Sequence, residues 1–165
     1  FQLRLKKETN SNKLIIGKKI KRICKKYKVK FLINDDPLLA KKLNADGCHL
    51  GQKDMDILKA RKILKNKIIG VTCHNSIKLA ERANKNGADY LAFGAFYPTK
   101  TKKIKHYADI KTLNWSKKNI KIPVVAIGGI TNKNYLNLLD NGAKLIAVSS
   151  YIWKHKSLLN AIKSF

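Results

Sequence analysis

Arginine is scarce in this 165-residue chain although its formal net charge is +26: Arg4, Arg22, Arg61 and Arg82 are the only four in a Lys+Arg total of 36. Proteins that read nucleic acid directly concentrate Arg, whose planar fork pairs with phosphate and guanine. A charge carried almost wholly by Lys, in a chain also rich in Asn and Ile, fits AT-rich codon bias spread over helix surfaces. Aromatic residues make up 8% of the chain and form no strand-borne stacking platform. A nucleic-acid-binding module is therefore the weaker reading, and no specific nucleic-acid partner is expected. Cysteine is also sparse. Cys24, Cys48 and Cys73 are odd in number and lack CxxC spacing, which argues against a disulfide framework and a zinc site and fits a reducing cytoplasm. No apolar run approaches the roughly 20 residues of a membrane span, and no signal-peptide core is present. No GxGxxG follows any strand-like run, which removes the main dinucleotide-binding signal.

What is present is a regular alternation of short apolar runs and Lys-faced helical stretches. Strands are expected over residues 1–6, 31–35, 47–51, 68–72, 88–94, 124–129 and 144–150. Helices are expected over residues 12–26, with Leu14, Ile15, Ile20 and Ile23 inward, and over 37–43, 55–64, 76–86, 107–117 and 132–140, with a last amphipathic helix at the C-terminus. Pro37 opens one helix and Gly87 closes another. Continuous apolar strands suit parallel pairing with both faces covered. Strict βα alternation leaves a doubly wound sheet or a (β/α)₈ barrel. Polar residues and glycines gather at the C-terminal ends of nearly all the strands, where barrels carry their active sites. The expected fold is a TIM (β/α)₈-type barrel lacking its first βα unit: a single domain over residues 1–165, N-terminally truncated, since the chain opens at Phe1 inside an apolar/charged alternation.

The stretch from Phe96 to Lys103 is the strongest chemical signal. Pro98 is expected to stop the preceding strand, after which Thr99 and Thr101 offer donors and Lys100, Lys102 and Lys103 offer charge to an anion. Gly128-Gly129 allows backbone N–H groups to approach a phosphate, although the pair also suits a plain tight turn.

Seven segments, in order, resemble the thiamine phosphate synthase family: Phe1-Gln2-Leu3-Arg4-Leu5-Lys6, Ile33-Asn34-Asp35, His49-Leu50-Gly51-Gln52-Lys53-Asp54, Gly70-Val71-Thr72-Cys73-His74, Pro98-Thr99-Lys100-Thr101-Lys102-Lys103, Ala126-Ile127-Gly128-Gly129-Ile130 and Ala147-Val148-Ser149-Ser150. The resemblance implies a TIM-barrel transferase that joins hydroxymethylpyrimidine pyrophosphate to hydroxyethylthiazole phosphate, releasing pyrophosphate. It implies that Arg4, Lys6, Asn34 and Lys102 hold the pyrophosphate, with Arg4, Lys6, Lys102 and Thr72 at the reacting centre. Asp35 and Asp54 would hold Mg²⁺, Gln2 would orient the pyrimidine, and Thr99, Thr101, Gly129, Ser149 and Ser150 would receive the thiazole phosphate. Partners are then small-molecule substrates, with a homo-oligomer allowed for and no membrane contact.

Simpler roles stand beside these. Gln2, Arg4 and Lys6 alternate, so on one strand they would share a face. Asp36 is read as the N-cap before Pro37, whereas Asp54 is open between metal ligand and N-cap of the helix from Met55. His49 and His74 are read as structural, and Trp115 and Trp153 as helix-packing residues. Leu5 stands where the family usually has Glu, and Ala95 where many synthases have Pro. The thiazole tautomerases, a sister branch, tend to carry His near that position and to lose the pyrophosphate ligands. Ala95 with the retained Arg4, Lys6, Asn34, Asp35, Asp54 and Lys102 set favours the synthase, with a tautomerase-like or inactive member as the alternative.

Overall fold

Apolar residues alternate with charge along α1 (Asn10–Lys26), yet the buried positions are Gly17 and Cys24, while Ile15 and Ile23 are each 54% exposed. The expected inward face was therefore rotated. A Cβ on Gly17 would sit 2.4 Å from the Leu43 Cδ1, so α1 takes in the Leu43 side chain at a position where it has none of its own. The computed structural model describes residues 1–99 and 107–165. Its elements continue as β1 (Gln2–Leu3, preceding α1), β2 (Leu32–Asn34), α2 (Pro37–Lys42), β3 (Gly47–Leu50), α3 (Ile57–Leu64), β4 (Ile68–His74), α4 (Ile77–Lys85) and β5 (Tyr90–Gly94). Then come α5 (Ile110–Asn119), β6 (Val124–Ile127), α6 (Tyr135–Asp140), β7 (Leu145–Ala147), α7 (Ser150–Trp153) and α8 (Leu158–Lys163). Each expected strand and helix is found, most of them shortened at the ends, and the terminal helix is divided in two.

Two compact units divide these elements. In the first (residues 1–71 and 85–89), β1, β2, β3 and the start of β4 pair in parallel, with Gln2 opposite Leu32, Asn34 opposite His49, and Leu50 opposite Val71. Its core gathers Phe31, Ile33, Cys48, Leu50 and Ile69. In the second (residues 72–84 and 90–165), β5, β6 and β7 pair in parallel, with Phe93 opposite Ala126 and Ile127 opposite Ala147. Leu91, Phe93, Leu113 and Leu138 are fully buried there. Trp153 is 63% exposed rather than packed, because the four-residue α7 buries no residue.

Helix starts follow local chemistry. Asp36 caps α2 by accepting from the Leu39 N–H at 2.9 Å, with Pro37 inside the first turn. Asp56, not Asp54, caps α3, accepting from the Leu58 and Lys59 N–H groups. Gly87, at φ +84°, follows α4 in the left-handed region that glycine occupies without strain. All three cysteines are buried free thiols, and burial pushes the Cys48 and Cys73 thiols up to about 12. No helix among the described residues is long and apolar enough to cross a membrane.

At the strand N-termini of the first unit, Arg61 binds four acceptors. Nη1 donates to the Lys65 and Lys67 carbonyls at 2.6 and 2.7 Å, and Nη2 to the Gly87 carbonyl and Asp89 Oδ2 at 2.7 and 2.6 Å. Asp89 Oδ2 also accepts from the Ile69 N–H at 2.7 Å. One guanidinium thus joins the end of α3, the start of β4 and the segment before β5. Arg61→Ala should lower the unfolding free energy by about 2 kcal/mol, since charged hydrogen bonds are lost but the side chain is partly solvated. Urea unfolding of the two proteins measures this, and an unchanged midpoint would reduce the cluster to surface decoration.

His49, 6% exposed on β3, is held neutral: burial lowers its pKa from 6.5 to about 4, although the Asp35 charge works the other way. The unfolded chain binds a proton below pH 6.5 that the folded one refuses. Stability is therefore complete above that pH and is lost as pH falls toward 4. Between pH 7 and 4.5 the native chain should lose about 2–3 kcal/mol more than His49→Gln. Parallel pH profiles of the two unfolding free energies would show that His49 does not titrate in this way.

Candidate active site

The first unit carries a cation and two carboxylates at the ends of its strands. β1 stops at Leu3, so Arg4 and Lys6 lie beyond the ladder on an exposed turn, and the strand alternation expected to align Gln2, Arg4 and Lys6 covers Gln2 alone. The chain leaves the ladder early, since β1 and β2 register only at Gln2–Leu32 and Leu3–Ile33. Freed from the strand, Lys6 reaches across to Asp35, and its Nζ donates to Asp35 Oδ2. Asp35 follows directly after Asn34, the last residue of β2, in a left-handed conformation at φ +67°. Such a backbone is uncommon for a residue with a Cβ and concentrates where position matters. The Asp35 N–H, bonded to the His49 carbonyl at 2.7 Å, holds that turn against β3.

Asp54 comes from the loop after β3. Its Oδ2 accepts from the Gly51 N–H at 2.7 Å, which folds the loop back on itself and leaves the helix cap to Asp56. The Asp35 and Asp54 side chains lie close enough to interact, and their pKa values are shifted in opposite directions. Burial works to raise Asp35, but the bonds from Lys6 and Asp54 and the charges of Lys6 and Arg4 hold it below the ordinary carboxylate value. Asp54 is raised, first by burial and then by its bond with Asp35. Two carboxyl groups this close cannot both be freely ionised. Lys6, Asp35 and Asp54 are brought together, with the charge of Arg4 acting on the group. Gln2 is exposed on β1, and Asn34 is half-buried at the end of β2.

The second unit carries the groups expected to receive a phosphate. Thr72 lies within β4 and is half-buried, as is Thr99. The strand before Thr99 ends at Gly94, not at Pro98: the backbone turns at Gly94 and then bonds along the β6 end through Phe96 N–H to the Ile127 carbonyl and Tyr97 N–H to the Gly128 carbonyl, each 3.1 Å. Gly128 and Gly129 have φ of +92° and +68°. A Cβ on Gly129 would lie 2.5 Å from the carbonyl oxygens of both Tyr97 and Pro98. The glycine pair is thus required by close backbone packing, and it brings Gly129 beside the segment that leads into Thr99. Ser149 occupies the N-cap position of α7 without a capping bond from its side chain, and Ser150 opens that helix. Thr101 and Lys102 lie outside the described residues.

Two asparagines in this unit had no signal in the sequence. Asn75 Oδ1 accepts from the Asp109 N–H at 2.9 Å and from the Thr112 hydroxyl, joining the end of β4 to the start of α5. Asn134 bonds the turn after β6. Asn in a loop reads as turn chemistry, and only the fold shows which distant backbone it meets.

Among the described residues no group of three or more His, Cys, Asp or Glu side chains gathers as a metal cage. The donor set is instead two carboxylates, which suits a hard cation that takes its remaining ligands from phosphate oxygens and water.

The family model described as thiamine monophosphate synthase matches residues 1–152. The thiamine-phosphate synthase of Pelagibacter ubique is 72% identical over 156 residues, covering 94% of this chain and 75% of its own. That of Nitrosococcus oceani is 39% identical, covering 100% of this chain and 76% of its own. The solved thiamine phosphate pyrophosphorylase from Pyrococcus furiosus superposes with a TM-score of 0.90 at 34% identity, over 99% of this chain and 78% of that one. A 3-hexulose-6-phosphate synthase at 17% identity, with a TM-score of 0.70, shares the fold alone. The fold class read from the alternation, a TIM (β/α)₈-type chain with seven βα units, is the one found. By the match of its residues 1–152, the chain belongs to the thiamine monophosphate synthase family.

Proposed function

We propose that this chain joins hydroxymethylpyrimidine pyrophosphate to hydroxyethylthiazole phosphate, with the contact among Lys6, Asp35 and Asp54 as the observation that carries the site assignment. The family membership and the 72% identical synthase support the reaction.

In the proposed reaction the bond between the pyrimidine methylene carbon and the pyrophosphate oxygen breaks first, and its electron pair leaves with pyrophosphate. The thiazole nitrogen then gives its lone pair to the methylene cation, forming the C–N bond of thiamine phosphate, so no proton need be removed at the reacting carbon. What the protein supplies is leaving-group stabilisation and positioning. Arg4 and Lys6 meet the charge that builds on the departing oxygens, with Asn34 and Lys102 as further pyrophosphate partners and Thr72 at the reacting centre. Lys6 is paired with Asp35 in the free chain and would exchange that partner for phosphate oxygens. Gln2 orients the pyrimidine. Thr99, Thr101, Gly129, Ser149 and Ser150 receive the thiazole phosphate.

Asp35 and Asp54 would hold Mg²⁺, which would help to neutralise the charge that builds on the departing pyrophosphate. The fit rests on the donor set: two short carboxylates beside each other, with Asp54 resisting ionisation first because of burial and then because of Asp35. The Gly51 N–H and the His49 carbonyl hold the segments that present them. Magnesium-bound protein is expected in a reducing cytoplasm, with small molecules as its partners.

Asp54→Asn separates the metal role from a structural one. Asn can still accept from the Gly51 N–H, and α3 keeps its own cap at Asp56, so the melting temperature should shift little. Turnover at saturating substrate should fall on the order of a hundredfold, and the magnesium concentration needed for half-maximal rate should rise. Synthase assays across magnesium concentrations, beside a melting curve, decide it. Near-normal turnover with an unchanged magnesium requirement would remove Asp54 from the site.

A further inference from the structure

At the start of α6 an asparagine stands where a helix cap belongs and does not cap. Asn134 is the N-cap residue, yet its side chain bonds none of the first N–H groups of the helix. Asn is among the strongest caps because its side-chain oxygen can accept from the second or third helical N–H. Here the amide is turned backward along the chain. Oδ1 accepts from the Thr131 N–H at 2.8 Å, and Nδ2 donates to the Gly129 carbonyl at 3.2 Å. Only one orientation of the amide satisfies both bonds, since the oxygen must face the N–H and the nitrogen the carbonyl. The Asn134 carbonyl meanwhile accepts from the Tyr97 hydroxyl at 3.1 Å.

Those bonds hold a turn that would otherwise be loose. Gly128 and Gly129 are consecutive glycines at positive φ, the backbone that loses most freedom on ordering. Gly129 lies against the Tyr97 and Pro98 carbonyls, and the next residue is Thr99. Asn134 therefore bonds both sides of one junction: the Gly129–Thr131 turn through its side chain, and Tyr97 through its backbone. A phosphate bound by a backbone N–H and a hydroxyl needs both held in place before it arrives.

We propose that Asn134 is the positioning residue of the phosphate subsite, fixing the Gly129 turn against the Tyr97–Thr99 segment without touching the ligand. The inference rests on the reading above that Thr99 and Gly129 receive the thiazole phosphate. Its helix cap is forgone, and the side chain is used for the turn instead.

The test is calorimetric titration of the native chain, Asn134→Ala and Tyr97→Phe with hydroxyethylthiazole phosphate, and separately with hydroxymethylpyrimidine pyrophosphate plus Mg²⁺. Asn134→Ala should weaken the thiazole phosphate about tenfold to thirtyfold, and Tyr97→Phe about threefold, while the pyrimidine pyrophosphate stays within about twofold. Tyr97→Phe leaves the turn's own bonds intact, so it carries the test if Asn134→Ala does not fold. Unchanged thiazole phosphate affinity in a folded variant would overturn the positioning role. So would an equal loss for both ligands, which is what a general structural defect produces. If the native chain itself binds no thiazole phosphate, the subsite reading falls and this inference with it. If the native chain binds and Asn134→Ala binds equally well, only the inference falls.

Discussion

A parallel strand covered on both faces has no room for charge, and that constraint decides where chemistry can lie in this chain. All four residues of β3 are buried, as are four of the five in β5. The polar residues allowed inside are kept neutral. His49 is lowered to about 4, and the Cys48 and Cys73 thiols are raised to about 12, so none of them is ionised near neutral pH. The charged groups of the candidate site follow the ends of the ladders: Lys6 beyond β1, Asp35 beyond β2, Asp54 in the loop after β3. Burying the strands and placing reactive groups at their ends are two results of one desolvation cost.

The same cost gives the carboxylate pair its character. Asp35 and Asp54 are partly withdrawn from water and interact: burial and then Asp35 make ionisation of Asp54 harder, whereas Asp54 helps to hold Asp35 in its charged form. Lys6 and Arg4 bias the pair, favouring charge on Asp35 and leaving Asp54 as the raised partner. A site with that balance is suited to a diphosphate and a hard divalent cation, because both add charge the existing groups can match. In the second unit the logic differs. There, neutral donors and glycine backbone predominate among the described site residues, and geometry has to do what charge does in the first unit.

The order of elements was legible because period and punctuation are local properties. Asp36 before Pro37 declared a helix start, and the structure makes that cap with a 2.9 Å bond. Asp54 and Asp56 are two residues apart beside the same helix, and local pattern could not separate a cap from a candidate ligand. The backbone bond from Gly51 to Asp54 did so. Ile15, Ile23 and Trp153 are apolar and solvent-exposed, which no rule about residue type anticipates, since burial depends on what lies opposite. Gly128-Gly129 was visible as a turn. Its cause, two carbonyl oxygens occupying the space of the Gly129 Cβ, was not.

By itself the sequence determined the βα alternation, the parallel strand class, the family and the identity of the groups at the strand ends. Each of these is written in residues near one another in the chain or in motifs that keep their order. Only the tertiary structure decided which of those groups meet: Lys6 with Asp35 across 29 positions, Arg61 with Asp89 across 28, Tyr97 with Asn134 across 37. Such pairs depend on strand register, on the direction in which each loop leaves its ladder, and on backbone conformations such as the left-handed turn at Asp35. Those choices are made by packing and hydrogen-bond satisfaction over the folded unit, and no short stretch of residues encodes them.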